Sequence, residues 1–272
     1  MNDRFTTIVV PLDLKPNSER AVGVAGALAA IADLSVVLVT VSTEDRLEPD
    51  KARLHQVATR CGLTKWEPVV LHDHHPGRAI ATYLESEDRP LVVMASPVHG
   101  VVNEWLSLST VAHVLSEVDC PVLVVGPHVE RDWRPNAARL IACAEPEWDA
   151  GSALCEIARW SRTFAAPNPW VVEVIVPDDR VPPDARDSSL LMTTVNRLAR
   201  SGVVAEWEVL HDVDPVDGLL RFAESVSDGM LLVTSGRWTD PDHVHAHSVS
   251  RELAHHSPRP VLVVPRASVV TI

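Results

Sequence analysis

Pro121-Val122-Leu123-Val124-Val125 recurs unchanged 139 residues later as Pro260-Val261-Leu262-Val263-Val264. At the same spacing Leu71-His72-Asp73 returns as Leu210-His211-Asp212, and Pro76 as Pro215. The run Pro90–Val93 agrees in character with Met230–Val233. Farther upstream, small deletions bring Ser18–Ala21 against Ser152–Cys155 and Trp66-Glu67 against Trp207-Glu208. One short identity arises by chance. Several in one order, including five consecutive residues, read as a duplication. The pattern breaks around Gly126–Pro135, where Gly, Pro and polar residues collect, so the expected units are residues 1–130 and 131–272.

Within each unit, short apolar runs alternate with stretches of helical length. The first copy has Thr6–Leu12, Ser35–Val41, Glu67–His72, Leu91–Ala95 and Val122–Val125. The second has Arg139–Cys143, Trp170–Val176, Ala205–Leu210, Met230–Thr234 and Val261–Val264. Nearly unbroken Val, Ile and Leu suit parallel strands buried on both faces. Asn17 or Ser18 is placed to cap a helix through Ala21, Val24, Ala25 and Leu28, and Asp187–Arg200 carries apolar residues at helical spacing. The expectation is an α/β protein of two doubly wound five-stranded parallel-sheet domains joined near residues 126–135. Terminal edge strands invite pairing, so the two PVLVV strands are expected at a lobe–lobe or chain–chain contact.

Composition narrows the function. The 272 residues are 46% hydrophobic and 22% charged, which excludes a disordered chain. Nothing at the N-terminus reads as a signal peptide, and no apolar run is long enough to span a bilayer, so the expected location is cytoplasmic, without a membrane partner. The net charge of −13 divides into −7 for residues 1–130 and −6 for the remainder. An acidic surface without a basic block argues against nucleic acid as a partner. Cys61, Cys120, Cys143 and Cys155 form no CxxC pair and read as buried thiols. The eight Trp residues are scattered, which favours packing over a stacking platform. No G-x-S-x-G, Walker A or GxGxxG motif is present, so no catalytic constellation emerges.

Ligands in doubly wound folds sit beyond the C-terminal strand ends, where the strand order reverses. The lip expected there is formed by the loops after the first and fourth strands. After the first strand stand Asp13 and, in the second copy, Glu145. Each could bind a ribose hydroxyl or simply close a turn. The acidic turn after the first strand, the loop after the fourth and the terminal PVLVV strand, found in that order in both copies, resemble the universal stress protein family. The resemblance covers essentially the whole chain. It implies the adenine nucleotide alpha hydrolase-like fold, packing of the two lobes as a pseudo-dimer, and a homodimer of chains.

In nucleotide-binding members the fourth loop reads G-x2-G-x9-G-S/T, with backbone N–H groups cradling the phosphates. Matched without gaps, the glycine positions hold Ala95, Val98 and Leu108, followed by Ser109. In the second copy they hold Thr234, Arg237 and His247, followed by Ser248. All six glycines are replaced and both serines remain. Side chains would crowd the phosphates, and Val98 suits a positive φ poorly. Gly100 and Gly236 offer a shifted register, and Arg237 could pair with a phosphate or block it. Asp13, Ala95, Val98, Ser109, Glu145, Arg237 and Ser248 are therefore the candidate residues of a degenerate nucleotide site, and Ser109 and Ser248 also read as N-caps. The resemblance then implies a non-catalytic stress-response or regulatory protein that needs no cofactor. Binding or slow hydrolysis of ATP, or binding of AMP, is the alternative. A second alternative is a metal-responsive protein using His243, His245 and His247, or His72, His74 and His75, although both segments also read as loops and no metal ligand is assigned among them.

Overall fold

A computed structural model describes residues 3–42, 46–96, 110–130, 133, 135, 138–144, 150–177, 189–234 and 248–265. The first half contributes strands β1 (Thr7–Leu12), β2 (Ser35–Ser42), β3 (Trp66–His72), β4 (Pro90–Ala95) and β5 (Val122–Val125). Its described helices are α1 (Glu19–Ala32), α2 (Leu47–Arg60), α3 (Pro76–Glu85) and α4 (Thr110–Glu117). The second half contributes β6 (Arg139–Ala144), β7 (Trp170–Ile175), β8 (Glu206–His211), β9 (Gly229–Thr234) and β10 (Val261–Val264). Its described helices are α5 (Ala150–Phe164), α6 (Ser189–Arg200), α7 (Pro215–Ser225) and α8 (Val249–His256).

Local chemistry accounts for these boundaries. Pro76 and Pro215 open α3 and α7, where a missing N–H costs nothing. Asp33, at φ 52°, ends α1 in the left-handed region and donates its N–H to the Ala29 carbonyl. Asp214 caps α7 by accepting from the N–H groups of Val216 and Asp217.

The strands lie in the order β3-β2-β1-β4-β5-β10-β9-β6-β7-β8. Each half is the five-stranded parallel sheet expected. The halves are not separate sheets, however, because β5 and β10 pair antiparallel and make one sheet of ten strands. Leu123 faces Leu262 in that pair, with Val122 opposite Val263 and Val124 opposite Val261. Leu123 and Leu262 are equivalent residues of the two copies, so a pseudo-two-fold axis passes between them. The duplicated PVLVV segment packs on itself, and all eight residues of β5 and β10 are buried.

Alternating strand residues feed two layers. Ile8, Val10, Leu38, Leu123, Leu140 and Leu262 face α1, α2, α5 and α6. Val9, Val39, Val92, Val124, Ile141 and Val263 face α3, α4, α7 and α8. Both apolar layers run through both halves. A second link between halves lies outside the sheet. Phe5 packs against Trp160 and Phe164 of α5 and donates its N–H to Thr163 Oγ1 at 2.9 Å. Asp3 pairs with Arg159 at 3.0 Å and with Arg162 at 3.3 Å.

Two expectations are corrected. Of the four thiols only Cys143 is buried; Cys61 and Cys120 are half-buried and Cys155 is exposed, because it falls on the solvent side of α5. The Ser18 hydroxyl does not cap α1. It donates to the Lys15 carbonyl at 2.8 Å, since Ser18 itself takes a helical backbone conformation.

Candidate functional site

β1 pairs with β2 on one side and with β4 on the other, so strand order reverses between β1 and β4. The β1–β4 ladder runs only from Thr7↔Pro90 to Val9↔Val92. β1 nevertheless stays paired with β2 out to Leu12↔Thr40, and β4 with β5 out to Ala95↔Val125. The last residues of β1 and β4 thus part, each held by its outer neighbour, and a crevice opens at their C-terminal ends. The second half repeats this: the β6–β9 ladder stops at Ala142↔Leu232, short of Ala144 and Thr234.

Asp13 stands on the first lip. Its Oδ1 accepts the Lys15 N–H at 3.0 Å, and its Oδ2 lies 3.4 Å from Lys15 Nζ. Leu14 between them has φ 59°, so the segment is a tight turn closed by the aspartate. Below it, the Thr40 hydroxyl donates to the Leu12 carbonyl at 2.9 Å and fixes the strand end. Across the crevice, Ala95 is half-buried against the core layer that includes Leu12. Ser96 turns away, its N–H donating to the Val125 carbonyl at 3.0 Å.

In the second half Thr234 is buried at the end of β9, and Ser248 precedes α8. Ser248 occupies the N-cap position with extended backbone, but its Oγ lies 3.1 Å from Ser250 Oγ rather than capping a backbone N–H. Neither Ala95 nor Thr234 has a positive φ, so a glycine at either would serve close approach rather than backbone handedness. Val98, Leu108, Ser109, Gly100, Glu145, Gly236, Arg237 and His247 lie outside the described residues, as do His243 and His245. Sequence reasoning missed Glu173, which pairs in register with Ala144 at the end of β6, on the side away from β9. Burial pushes its carboxyl up, and its Oε2 has no hydrogen-bond partner among the described residues. An acidic residue inside an otherwise apolar strand was the available signal.

The repeated Leu-His-Asp segments end β3 and β8, and their aspartates close the turns that follow. Asp73 accepts the His75 N–H at 2.8 Å and both oxygens engage Arg78, which together hold its carboxyl below the usual range. Asp212 accepts the Asp214 N–H at 3.1 Å and pairs with Arg221. His72, His74 and His75 are exposed around the first of these turns and do not gather with two further ligands. A different set does converge. His128 follows β5, His255 and His256 end α8, and the three imidazoles meet at the junction of the halves. Burial and the two neighbouring imidazoles push His255 below its usual range. A groove of about 450 Å³ lies at the opposite end of the sheet from the crevice, between the end of α1 and the Cys61–Lys65 turn.

The sequence matches the description of the universal stress protein family over residues 62–126 and 168–265. A universal stress protein from Archaeoglobus fulgidus DSM 4304 superposes with a TM-score of 0.69 at 16% identity, covering 98% of this chain and 99% of its own. A protein provisionally described as a universal stress protein from Pseudomonas aeruginosa UCBPP-PA14 gives 0.62 at 14% identity, over 97% of this chain and 94% of its own. A shorter universal stress protein from Archaeoglobus fulgidus, in complex with dAMP, gives 0.38 at 19% identity, over 46% of this chain and 96% of its own. Comparison with curated proteins gave no match.

Proposed function

The chain belongs to the universal stress protein family, and from that premise we propose that it is a non-catalytic, regulatory member whose crevices do not hold ATP in the family's usual way. On this reading the chain divides into units 1–130 and 131–272 and acts in the cytoplasm. The observation that carries it concerns the surviving polar groups at described positions. Asp13 meets Lys15 through both oxygens, and Ser248 meets Ser250, so each already has a partner within its own turn. The replaced glycines add to it: a cradle of inward-pointing N–H groups needs a backbone free of side chains, and Ala95 and Thr234 both carry them.

In a chain whose β5 and β10 are already paired, a homodimer must use another surface. The sheet edges β3 and β8 are open for it, and Trp207 on β8 is 46% exposed. No helix among the described residues is long and apolar enough to cross a membrane.

The competing reading, a site for ATP or AMP, has one observation in its favour. The strand ends part at both switch points although little of the glycine motif is left. A thermal-shift series with ATP and AMP separates the two readings. At 100 times its Kd a ligand adds about 2.7 kcal/mol of stability, a shift of several degrees. No shift at millimolar nucleotide is expected, and a clear shift at micromolar nucleotide would overturn the proposal.

A further inference from the structure

We propose that His128, His255 and His256 form a binding site for a divalent transition-metal cation of the zinc type, joining the two halves of the chain beside the β5–β10 seam. One ring nitrogen of each lies within 4.8 Å of the others. The ring centroids are 5.6 Å apart for His128–His255, 6.1 Å for His128–His256 and 4.8 Å for His255–His256. Tetrahedral coordination at a Zn–N distance of about 2.0–2.1 Å places ligand nitrogens roughly 3.3 Å apart. Closing that difference takes side-chain rotation alone, and His128 and His256 are exposed and free to rotate.

The backbone beneath is built for the meeting. The chain leaving β5 passes so close to the end of α8 that a Cβ on Gly126 would lie 2.3 Å from the Ala254 carbonyl oxygen. Only glycine fits that approach, and it delivers His128 to the face of His255 and His256. The turn is held from the other side by the Arg20 guanidinium, which donates to the carbonyls of Gly126, at 2.8 Å, and Val129. Val129 donates its N–H back to Gly126 at 3.3 Å. His255 and His256 fall in the last turn of α8, where the helix macrodipole favours a cation.

The pseudo-symmetry sharpens the point. The equivalents of His255 and His256 in the first copy, 139 residues earlier, are Ser116 and Glu117, and the equivalent of His128 in the second is Ala267. The sequence therefore supplies three histidines to one copy of this junction and none to the equivalent positions of the other. Neutral imidazole is a good ligand for Zn²⁺ and neighbouring divalent transition metals such as Ni²⁺. The exposed side of the cluster leaves the fourth position to water. The ion would clamp the turn after β5 to the last helix, so its binding stabilises the fold as well as filling a site.

The test uses the full chain, freed of metal with a chelator. Calorimetric titration with Zn²⁺ should give one tight site per chain, and Co²⁺ should give visible absorption bands of tetrahedral intensity. His128→Ala and His256→Gln, both at exposed positions, should each weaken Zn²⁺ about tenfold or more and abolish the Co²⁺ bands. Replacing His243, His245 and His247 together by Ala should leave both signals intact. Zn²⁺ should raise the melting temperature of the unaltered chain and not that of either variant. Zn²⁺ binding unchanged in His128→Ala and His256→Gln would overturn the proposal, as would no binding tighter than about 100 μM, on the order of 5.5 kcal/mol.

Discussion

The seam between the halves and the crevices within them lie in one sheet, yet the two copies treat them differently. At the seam the copies are identical: PVLVV faces PVLVV, Leu123 opposes Leu262, and both are fully buried. In the sequence at and after the ends of the first and fourth strands they diverge, with Asp13 against Glu145, Ala95 against Thr234 and Val98 against Arg237. A residue on a pseudo-dyad packs against its own copy, so a change in one copy alone leaves a mismatched pair. A crevice lip meets no such partner and tolerates separate change. The seam holds the molecule together, and the crevices are where the halves are free to differ.

The largest effect is therefore expected at the seam. Leu123→Lys or Leu262→Lys places an unpaired ammonium at a fully buried position, which should cost about 4 kcal/mol or more. Urea unfolding should show loss of the cooperative transition in the double variant. If either single variant melts within a degree or two of the unaltered chain, the seam is not what joins the halves.

The second effect arises where the helical layers of the halves meet. Glu156 on α5 is buried, its Oε2 lacks a hydrogen-bond partner among the described residues, and its neighbour Arg159 is shared with Asp3. Burial outweighs the attraction of Arg159 and pushes the Glu156 carboxyl up to about 7, from an ordinary value of 4.5. The folded chain thus favours the protonated acid. Its contribution to stability is complete below pH 4.5 and is lost as pH rises through about 7. At about 1.4 kcal/mol per unit the loss reaches up to roughly 3 kcal/mol. Glu156→Gln should remove this component from a profile of stability against pH. An unchanged slope between about pH 4.5 and pH 7, where the shift falls, would show that another group governs it.

A smaller loss, about 1–3 kcal/mol, should follow Gly126→Ala, because the added methyl meets the Ala254 carbonyl and the turn must shift. The same variant should weaken Zn²⁺ binding by moving His128. The smallest effect belongs to the lip. Asp13→Ala removes a turn contact and an exposed pair with Lys15, and its cost should stay within about 0.5–1 kcal/mol. A larger loss would mean that Asp13 supports more than its own turn.

All ten strands can be read from the sequence to within a residue at their ends: the inner ones are largely apolar because both faces are covered, while the edge strands β3 and β8 keep an apolar stretch among exposed polar residues. Val122–Val125 and Val261–Val264 coincide with their apolar runs throughout. Their mutual pairing was foreseen as a contact; that it would fuse two sheets into one depends on edge geometry, which no periodicity reports. The wiring of Asp3 to Arg159 and Arg162 is similarly hidden, since the partners lie more than 150 residues apart. The strand order reverses between β1 and β4, whose following loops were the expected lip, but the engagement of Asp13 by Lys15 depends on one left-handed residue, Leu14, that carries no glycine to announce it. His72, His74 and His75, neighbours in the sequence, form no such group among the described residues, whereas His128 and the pair His255–His256, far apart in the chain, do.

Whether the crevices hold ATP is tested most directly by isothermal calorimetry. The unaltered chain should bind ATP with a Kd weaker than about 100 μM, less than roughly 5.5 kcal/mol of binding energy. Combining Ala95→Gly, Val98→Gly and Leu108→Gly should strengthen binding in the first half, if side chains in the cradle are the defect. Micromolar ATP binding by the unaltered chain would contradict the account.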